Sequence, residues 1–278
     1  MGSGKIPSDA AVLVVGGPKK AFYPKELDVI GAWMKDGGHT VLAFELDLAE
    51  SGLAKGSRQL ADVLKPFGVN VMNQMLVDPL SQAAKVDVSS ILGFADSTTH
   101  PISKDFPRSK IAANFLFPLT TYLTVTPAPA LTVSPLVHTT EQAWAESDWA
   151  SLKQGSASYD ERTDHRGRME LAFAVEGQKP EGQSQPSARG VKFVVFANAN
   201  FATNTMLDKA GNRDLFLNAV AWLADEDRFI SIRPKEDPDA LKQFNSNAIS
   251  MVLLVTIFLI PLLLLAVGIY VWLRRSKL

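Results

Sequence analysis

An open, doubly wound α/β sheet with a β-rich insert, followed by one C-terminal transmembrane helix, is the fold class that this 278-residue sequence predicts. Three observations carry it. Two apolar runs rich in β-branched residues flank a stretch of helical periodicity near the start, which is the pattern of a βαβ unit. A second apolar run and a second periodic stretch repeat the alternation near residue 200. At the far end no side chain from 248 to 273 is charged, and Arg274, Arg275 and Lys277 follow.

The first run, Ala11-Val12-Leu13-Val14-Val15, is closed by Gly16-Gly17-Pro18 and suits a strand buried on both faces. Tyr23-Pro24 opens a helix in which Leu27, Ile30, Trp33 and Met34 share a face, and Gly37-Gly38 stop it. Thr40-Val41-Leu42-Ala43-Phe44 is the next strand, and a helix over 57–67 with a strand over 69–72 continues the alternation. Residues 78–110 read as polar loop. Short strands at 120–126 and 131–137, punctuated by Pro127, Pro129 and Pro135, are placed at an edge or in a β insert. A strand at 169–175, an exposed Gly/Pro/Gln/Ser loop at 178–189, a buried strand at 191–196 and a helix at 212–225 complete the domain. Asn212 is expected to cap that last helix, and Ile230-Ser231-Ile232 reads as a final strand.

The uncharged stretch is long enough to span a bilayer, covering about 39 Å at about 1.5 Å per residue against a hydrocarbon core of about 30 Å. Its basic tail places the C-terminus in the cytoplasm and everything before Asn245 outside. The expected membrane contacts are Ile249, Pro261 as a mid-span kink, Trp272 at the interface, and Arg274 and Arg275 beyond it. The division is an extracytoplasmic domain over 1–236, a linker over 237–247, the span over 248–273 and a tail over 274–278. The first twenty residues lack a signal-peptide pattern, so export is expected to depend on a single span or a fused permease upstream.

Net charge is −1, with 46% hydrophobic and 21% charged residues, which fits a folded domain and gives no field for nucleic acid. The absence of cysteine excludes disulfides, thiolate metal sites and a cysteine nucleophile. Gly16-Gly17-Pro18-Lys19-Lys20 follows a strand as a phosphate loop does, but its spacing fits neither glycine-rich nucleotide motif and a plain strand-to-helix turn is simpler. His39, His100, His138 and His165 are scattered, without the helical spacing of a zinc pair. No serine occupies a nucleophile elbow. The acidic residues from Asp160 to Asp164 lie among Arg162, Arg166 and Arg168, as in a charge-balanced loop. No catalytic residue, metal ligand or cofactor is assigned. The binding candidates are His100 and the polar turn carrying Asn198, Asn200 and Asn204, which follows a strand at the end where open α/β sheets hold ligands.

The same residues resemble the GldG family, auxiliary or substrate-binding-like components of ABC transporters associated with gliding motility. The resemblance is carried by Ser8-Asp9-Ala10-Ala11-Val12-Leu13-Val14-Val15-Gly16-Gly17-Pro18, by His100-Pro101-Ile102 and by Leu136-Val137-His138-Thr139-Thr140 with Trp144. It continues through Val194-Val195-Phe196-Ala197-Asn198-Ala199-Asn200-Phe201 and Gly211-Asn212-Arg213-Asp214-Leu215-Phe216-Leu217-Asn218-Ala219-Val220-Ala221-Trp222-Leu223 to Ile230-Ser231-Ile232-Arg233-Pro234. It implies a periplasmic domain similar to the flavodoxin-like and class I glutamine-amidotransferase-like folds, held at the bacterial inner membrane beside a permease and a cytoplasmic ATPase. Without cysteine, amidotransferase chemistry is out of reach. The function expected is therefore a non-catalytic, membrane-anchored component of an ABC transporter. An envelope domain that senses or binds a glycan, lipid or protein is the alternative, and a metal- or serine-dependent hydrolase is the third.

Overall fold

In the computed structural model, residues 5–83, 87, 89–96, 100–106, 114–127, 130–177, 190–225 and 260–275 are described. They fall into two units, Met1–Ser231 and Ile232–Leu278. The expected strand at 230–232, the loop at 178–189 and the linker at 237–247 lie outside the described residues.

The opening βαβ unit forms as its pattern predicts. β1 (Leu13–Gly16) leads to α1 (Pro24–Lys35), whose first turn is closed by the Glu26 carboxylate accepting from the Tyr23 N–H at 3.0 Å. Ile30 and Met34 are buried, and the chain returns as β2 (Thr40–Ala43). A two-residue ladder of β3 (Leu46–Asp47) and β4 (Gly52–Leu53) precedes α2 (Lys55–Leu64) and a short 3-10 turn (Lys65–Phe67). A Cβ on Gly56 would strike the carbonyl oxygens of Pro18 and Lys20, so only glycine lets the first turn of α2 lie against the loop after β1.

The remaining elements are β5 (Val69–Val71), β6 (Met75–Val77), α3 (Pro79–Ala83), β7 (Ser90–Ala95), β8 (Phe115–Pro118), β9 (Leu123–Val125), β10 (Leu131–His138), β11 (Trp144–Glu146), α4 (Trp149–Lys153), β12 (His165–Arg166), β13 (Glu170–Gly177) and β14 (Val191–Phe196). A 3-10 turn (Asn200–Ala202) and α5 (Asn212–Leu223) end the first unit's described elements. The main sheet runs β1-β2-β14-β13-β10-β7-β8, with β9 on β13 and β5 on β9. Among the described strands only β1–β2 and β2–β14 are parallel. A small β12-β11-β6 sheet stands apart from it.

The expected open parallel sheet is thus corrected to a mixed sheet with a three-strand parallel part. The alternation stops at β5, which pairs antiparallel with β9 because only Val69 of its three residues is buried, too little for a strand covered on both faces. In the parallel part each strand feeds two cores. Val41, Val194 and Phe196 pack under α5, while Leu42, Phe193 and Val195 pack with Ile30, Met34, Leu60 and Leu64 of the α1–α2 layer.

Two further expectations are corrected, and a third holds for most of its strand. Residues 78–110 contain α3 and β7 rather than loop alone, and Gly93, which interrupts the apolar pattern of β7, is required because a Cβ there would come within 2.8 Å of Val137. β10 pairs with β7 only from Val137 on, after a bulge, so the stretch around Pro135 is an edge on that side, as expected, and only the strand's last two residues lie between two neighbours. Asn212 is not a cap. Gly211 holds that position, and the buried Asn212 carboxamide accepts from Leu116 N–H at 3.0 Å and donates to Leu116 O at 2.9 Å, replacing a neighbouring strand for β8.

A second amide curls the sheet. Asn198, just past β14, donates to Pro118 O at 2.8 Å and Leu119 O at 3.1 Å at the end of β8, although three strands separate β14 from β8 in the sheet order. Phe201 stacks on Phe117 beneath it, ring centres 5.0 Å apart.

In the second unit, α6 (Ile260–Arg275) is the described part of the apolar run. Its sixteen residues cover about 24 Å, and among the described residues no helix is long and apolar enough to cross a membrane. Residues 248–259, including Ile249, lie outside the described residues, as do the turns N-terminal to Pro261 over which a kink would be measured.

Replacing Asn212 by Ala removes four hydrogen bonds from a fully buried side chain. Unfolding free energy is expected to fall by about 3 kcal/mol, read as a lowered urea midpoint at unchanged slope.

Candidate functional site

The C-terminal ends of β1, β2 and β14 form the crevice where a parallel sheet holds ligands, and here the protein's own groups occupy it. Gly17 donates its N–H to Ala43 O at 2.8 Å, and a Cβ on it would crowd Glu45 and Ala199. Ser57 Oγ donates to Pro18 O at 3.2 Å and accepts from Glu45 N–H at 3.0 Å. Lys19 is paired with the Glu45 carboxylate at 3.0 Å, which raises the lysine's pKa through that hydrogen bond and the opposite charge. The start of α1 is already answered by Glu26. The loop after β1 therefore has the geometry of a strand-to-helix turn, with Lys19 already answered by Glu45.

The four binding candidates do not converge. Asn198 is fully buried and its oxygen accepts from Phe201 N–H at 2.9 Å, so both ends of the amide serve the fold. Asn200 is half-buried in the following 3-10 turn and Asn204 is exposed beside it. His100 lies at the opposite end of β14, about 20 Å away at the rise of an extended strand. Its ring meets Trp222 of α5 edge-on at 4.8 Å, and its Nδ1 accepts from Ile102 N–H at 3.3 Å. Burial, with the nearby charge of Lys192, pushes its pKa down to about 4. Lys192 itself sits 4.5 Å over the Trp222 ring and donates to Trp222 O at 2.7 Å, and His39 Nδ1 contacts Leu223 O. These contacts anchor the C-terminal end of α5.

A polar cluster that the sequence does not bring together surrounds Arg168. Its guanidinium pairs with Asp96 and, at 3.1 Å, with Glu170. Burial is the main cause that raises the Glu170 pKa, and Oε2 of this carboxylate is buried without a hydrogen-bond partner. Beside it is a cleft of about 350 Å³ lined by Tyr122, Thr124, Pro135, His165, Arg168 and Glu170, where the Tyr122 and His165 rings stack at 6.3 Å. Near it, half-buried His138 stacks on Phe94, its pKa lowered chiefly by burial and its Nδ1 donating to Thr139 O at 2.8 Å. Two carboxylates against one guanidinium leave this cluster negative, so it favours a cationic or hydrogen-bond-donating group. Its only sequence signal is a charged residue at each end of a strand start, Arg168 and Glu170, which becomes a cluster only when β10 and β7 bring Asp96 alongside.

A larger cleft, about 740 Å³, is lined by acidic loops around Glu146, Asp148 and Asp160. Three carboxylates there are answered locally: Glu146 by Asp148 N–H and Trp144, Asp148 by Ser151 and Ala150 N–H, and Asp160 by Arg162. Asp164 turns inward to Ser147 at 2.8 Å. This matches the charge-balanced loop expected of 160–164, except that Arg168 leaves it for Asp96 and Glu170. Among the described residues no three His, Asp or Glu side chains are grouped to hold a metal ion.

A family model described as ABC-type uncharacterized transport system matches residues 2–219. No curated protein sequence matches the chain. Among solved structures, one titled mmIFT52 N-terminal domain is similar, with a TM-score of 0.50 and 14% identity over 78% of each chain. That likeness concerns the fold.

Two outcomes test the electrostatics. His100 titrates near 4 when folded and at 6.5 unperturbed, so the unfolded chain binds more protons between those values. Its contribution is fully retained above about pH 6.5 and falls by about 3 kcal/mol as pH drops to about 4, and His100→Gln should flatten a stability–pH curve over that window. Arg168→Met leaves Asp96 and Glu170 facing each other. Since Arg168 is partly exposed, the loss at pH 7 is expected to be about 2 kcal/mol, and smaller at pH 5, where Glu170 takes up a proton more readily than an ordinary carboxyl.

Proposed function

The chain belongs to the ABC-type uncharacterized transport system family, an auxiliary transport family, and from that premise we propose that it is a non-catalytic, membrane-anchored extracytoplasmic component held against a transporter's permease and cytoplasmic ATPase. The observation that carries this reading is the family match over residues 2–219, which includes every described strand of the domain. The uncharged run at 248–273 with its basic tail supports the anchor and a cytoplasmic C-terminus. So do the large apolar side chains that α6 leaves in the open: Leu262, Leu265, Ile269 and Trp272 recur at three- and four-residue spacing and are each at least half exposed, a surface that calls for lipid or another helix to cover it. Within the family, the GldG-like subgroup at the bacterial inner membrane is the proposed place, on the residues that resemble it.

A second reading, capture of an envelope ligand, is favoured by the Arg168 cleft and the unpartnered Glu170 oxygen within its lining. Asn200 and Asn204, in the partly exposed turn after β14, are further proposed contacts on a separate surface.

Extraction of the tagged full-length protein from native membranes in mild detergent is expected to recover a multi-span permease and an ATPase together with it. Replacement of residues 248–273 by an unrelated apolar helix should reduce that recovery strongly. Repeated recovery of the chain alone would overturn the transporter reading and leave ligand capture.

A further inference from the structure

The two ends of the main sheet are treated differently. At β8 the edge is sealed: Asn212 bonds to both backbone groups of Leu116, and Gly211 N–H donates to Asn114 O at 2.8 Å. At β1 the edge is open. Leu13 N–H bonds to His39 O and Gly17 N–H to Ala43 O, so in this parallel ladder the odd-numbered residues face β2 and Val12, Val14 and Gly16 turn their N–H and C=O outward. Among the described residues nothing bonds to those groups. Val14 is 47% exposed, and a Cβ added to Gly16 would meet nothing within 4 Å. The devices that blunt an exposed edge, a charge, a proline or a bulge within the strand, are all missing from Leu-Val-Val-Gly.

We propose that β1 pairs antiparallel with β1 of a second copy of this chain, joining two sheets into one across a two-fold axis midway between Val14 and the partner's Val14. A two-fold perpendicular to the sheet requires that opposite residues point to the same face, so only even register sums are allowed, and the axis must pass midway between one residue and the same residue of the partner. Centred on Val14, this register sets Val14 opposite the partner's Val14 and Val12 opposite the partner's Gly16. Every outward-turned residue then faces another, giving about six main-chain hydrogen bonds. The space beside Gly16 receives the partner's Val12, and the two exposed Val14 side chains become a cross-strand pair. Charge agrees with this direction: exposed Asp9 precedes the strand and exposed Lys20 follows it, beyond Lys19, which is already paired with Glu45, so an antiparallel partner brings each flank to the opposite sign. A parallel partner would align like charges. Four residues a side make a small interface, so the dimer is weak and concentration-dependent.

Sedimentation velocity of the full chain in mild detergent, over a concentration series, tests this. The wild-type chain is expected to show a monomer–dimer equilibrium. Val14→Lys and Val14→Glu each place like charges on the axis and should raise the dissociation constant at least about tenfold with unchanged circular dichroism. An equimolar mixture of the two variants should restore the dimer, because only a register centred on residue 14 sets the opposite charges face to face. Amide exchange at Val12, Val14 and Gly16 of the wild type should slow as concentration rises, which needs no variant. A wild-type monomer at every concentration overturns the proposal, whether the edge is bare or covered by later residues of the same chain. A dimer indifferent to both substitutions, or a mixture that stays monomeric, does the same.

Discussion

Two buried carboxamides determine the shape of the domain. A side-chain amide carries both a donor and an acceptor, so it can stand where a peptide group would stand, and once buried it must be fully answered or cost about 1–3 kcal/mol per orphaned group. Asn198 and Asn212 meet that demand at the same strand, β8, from the end of β14 and the start of α5. Together they force a seven-strand path to curl until its far end reaches its middle. Phe117, Phe196 and Phe201 fill the space so enclosed, and α5 is seated over it through Leu215 and Ala219.

This closure has a chemical consequence. The crevice at the ends of the parallel strands, the usual place for a ligand in such sheets, is taken up by Gly17, Ser57, Glu45 and Asn198 bonding to one another and to the backbone. The polar features that remain are displaced to the antiparallel side, where Arg168 is caught between Asp96 and Glu170. A domain built this way offers surfaces and edges more than a reaction centre, which accords with an auxiliary role in a transport system. The outer edge of β1, to which nothing bonds among the described residues, is a further surface of that kind.

The legible parts of the fold are those in which one short segment contains its own instruction. The α1 helix has a proline at its first turn, a periodic face and glycines after it; β2 and β14 are unbroken apolar runs. The illegible parts needed a distant partner to make sense. β7 is broken by Gly93, and the reason is the Val137 side chain on another strand. Pro135 marks an open side of β10, but that the same strand gains β7 as a neighbour from Val137 on depends on a distant segment. Asn212 has the composition of a helix cap, but Leu116 claims its side chain. His100 and Asn198, both reasonable ligand contacts in a linear reading, anchor opposite ends of β14.

What the amino-acid order determined by itself is whatever depends on composition and local period: a βαβ start, an α/β domain, no thiol chemistry, and an uncharged C-terminal run with a basic tail. Tertiary structure decided which strands run antiparallel, which carboxylates gather around Arg168, and which sheet edge is sealed or free. The reason is physical. Hydrophobic period acts between residues three or four apart, whereas a buried amide or an ion pair is worth something only against a specific partner, and here those partners lie up to 96 residues away along the chain.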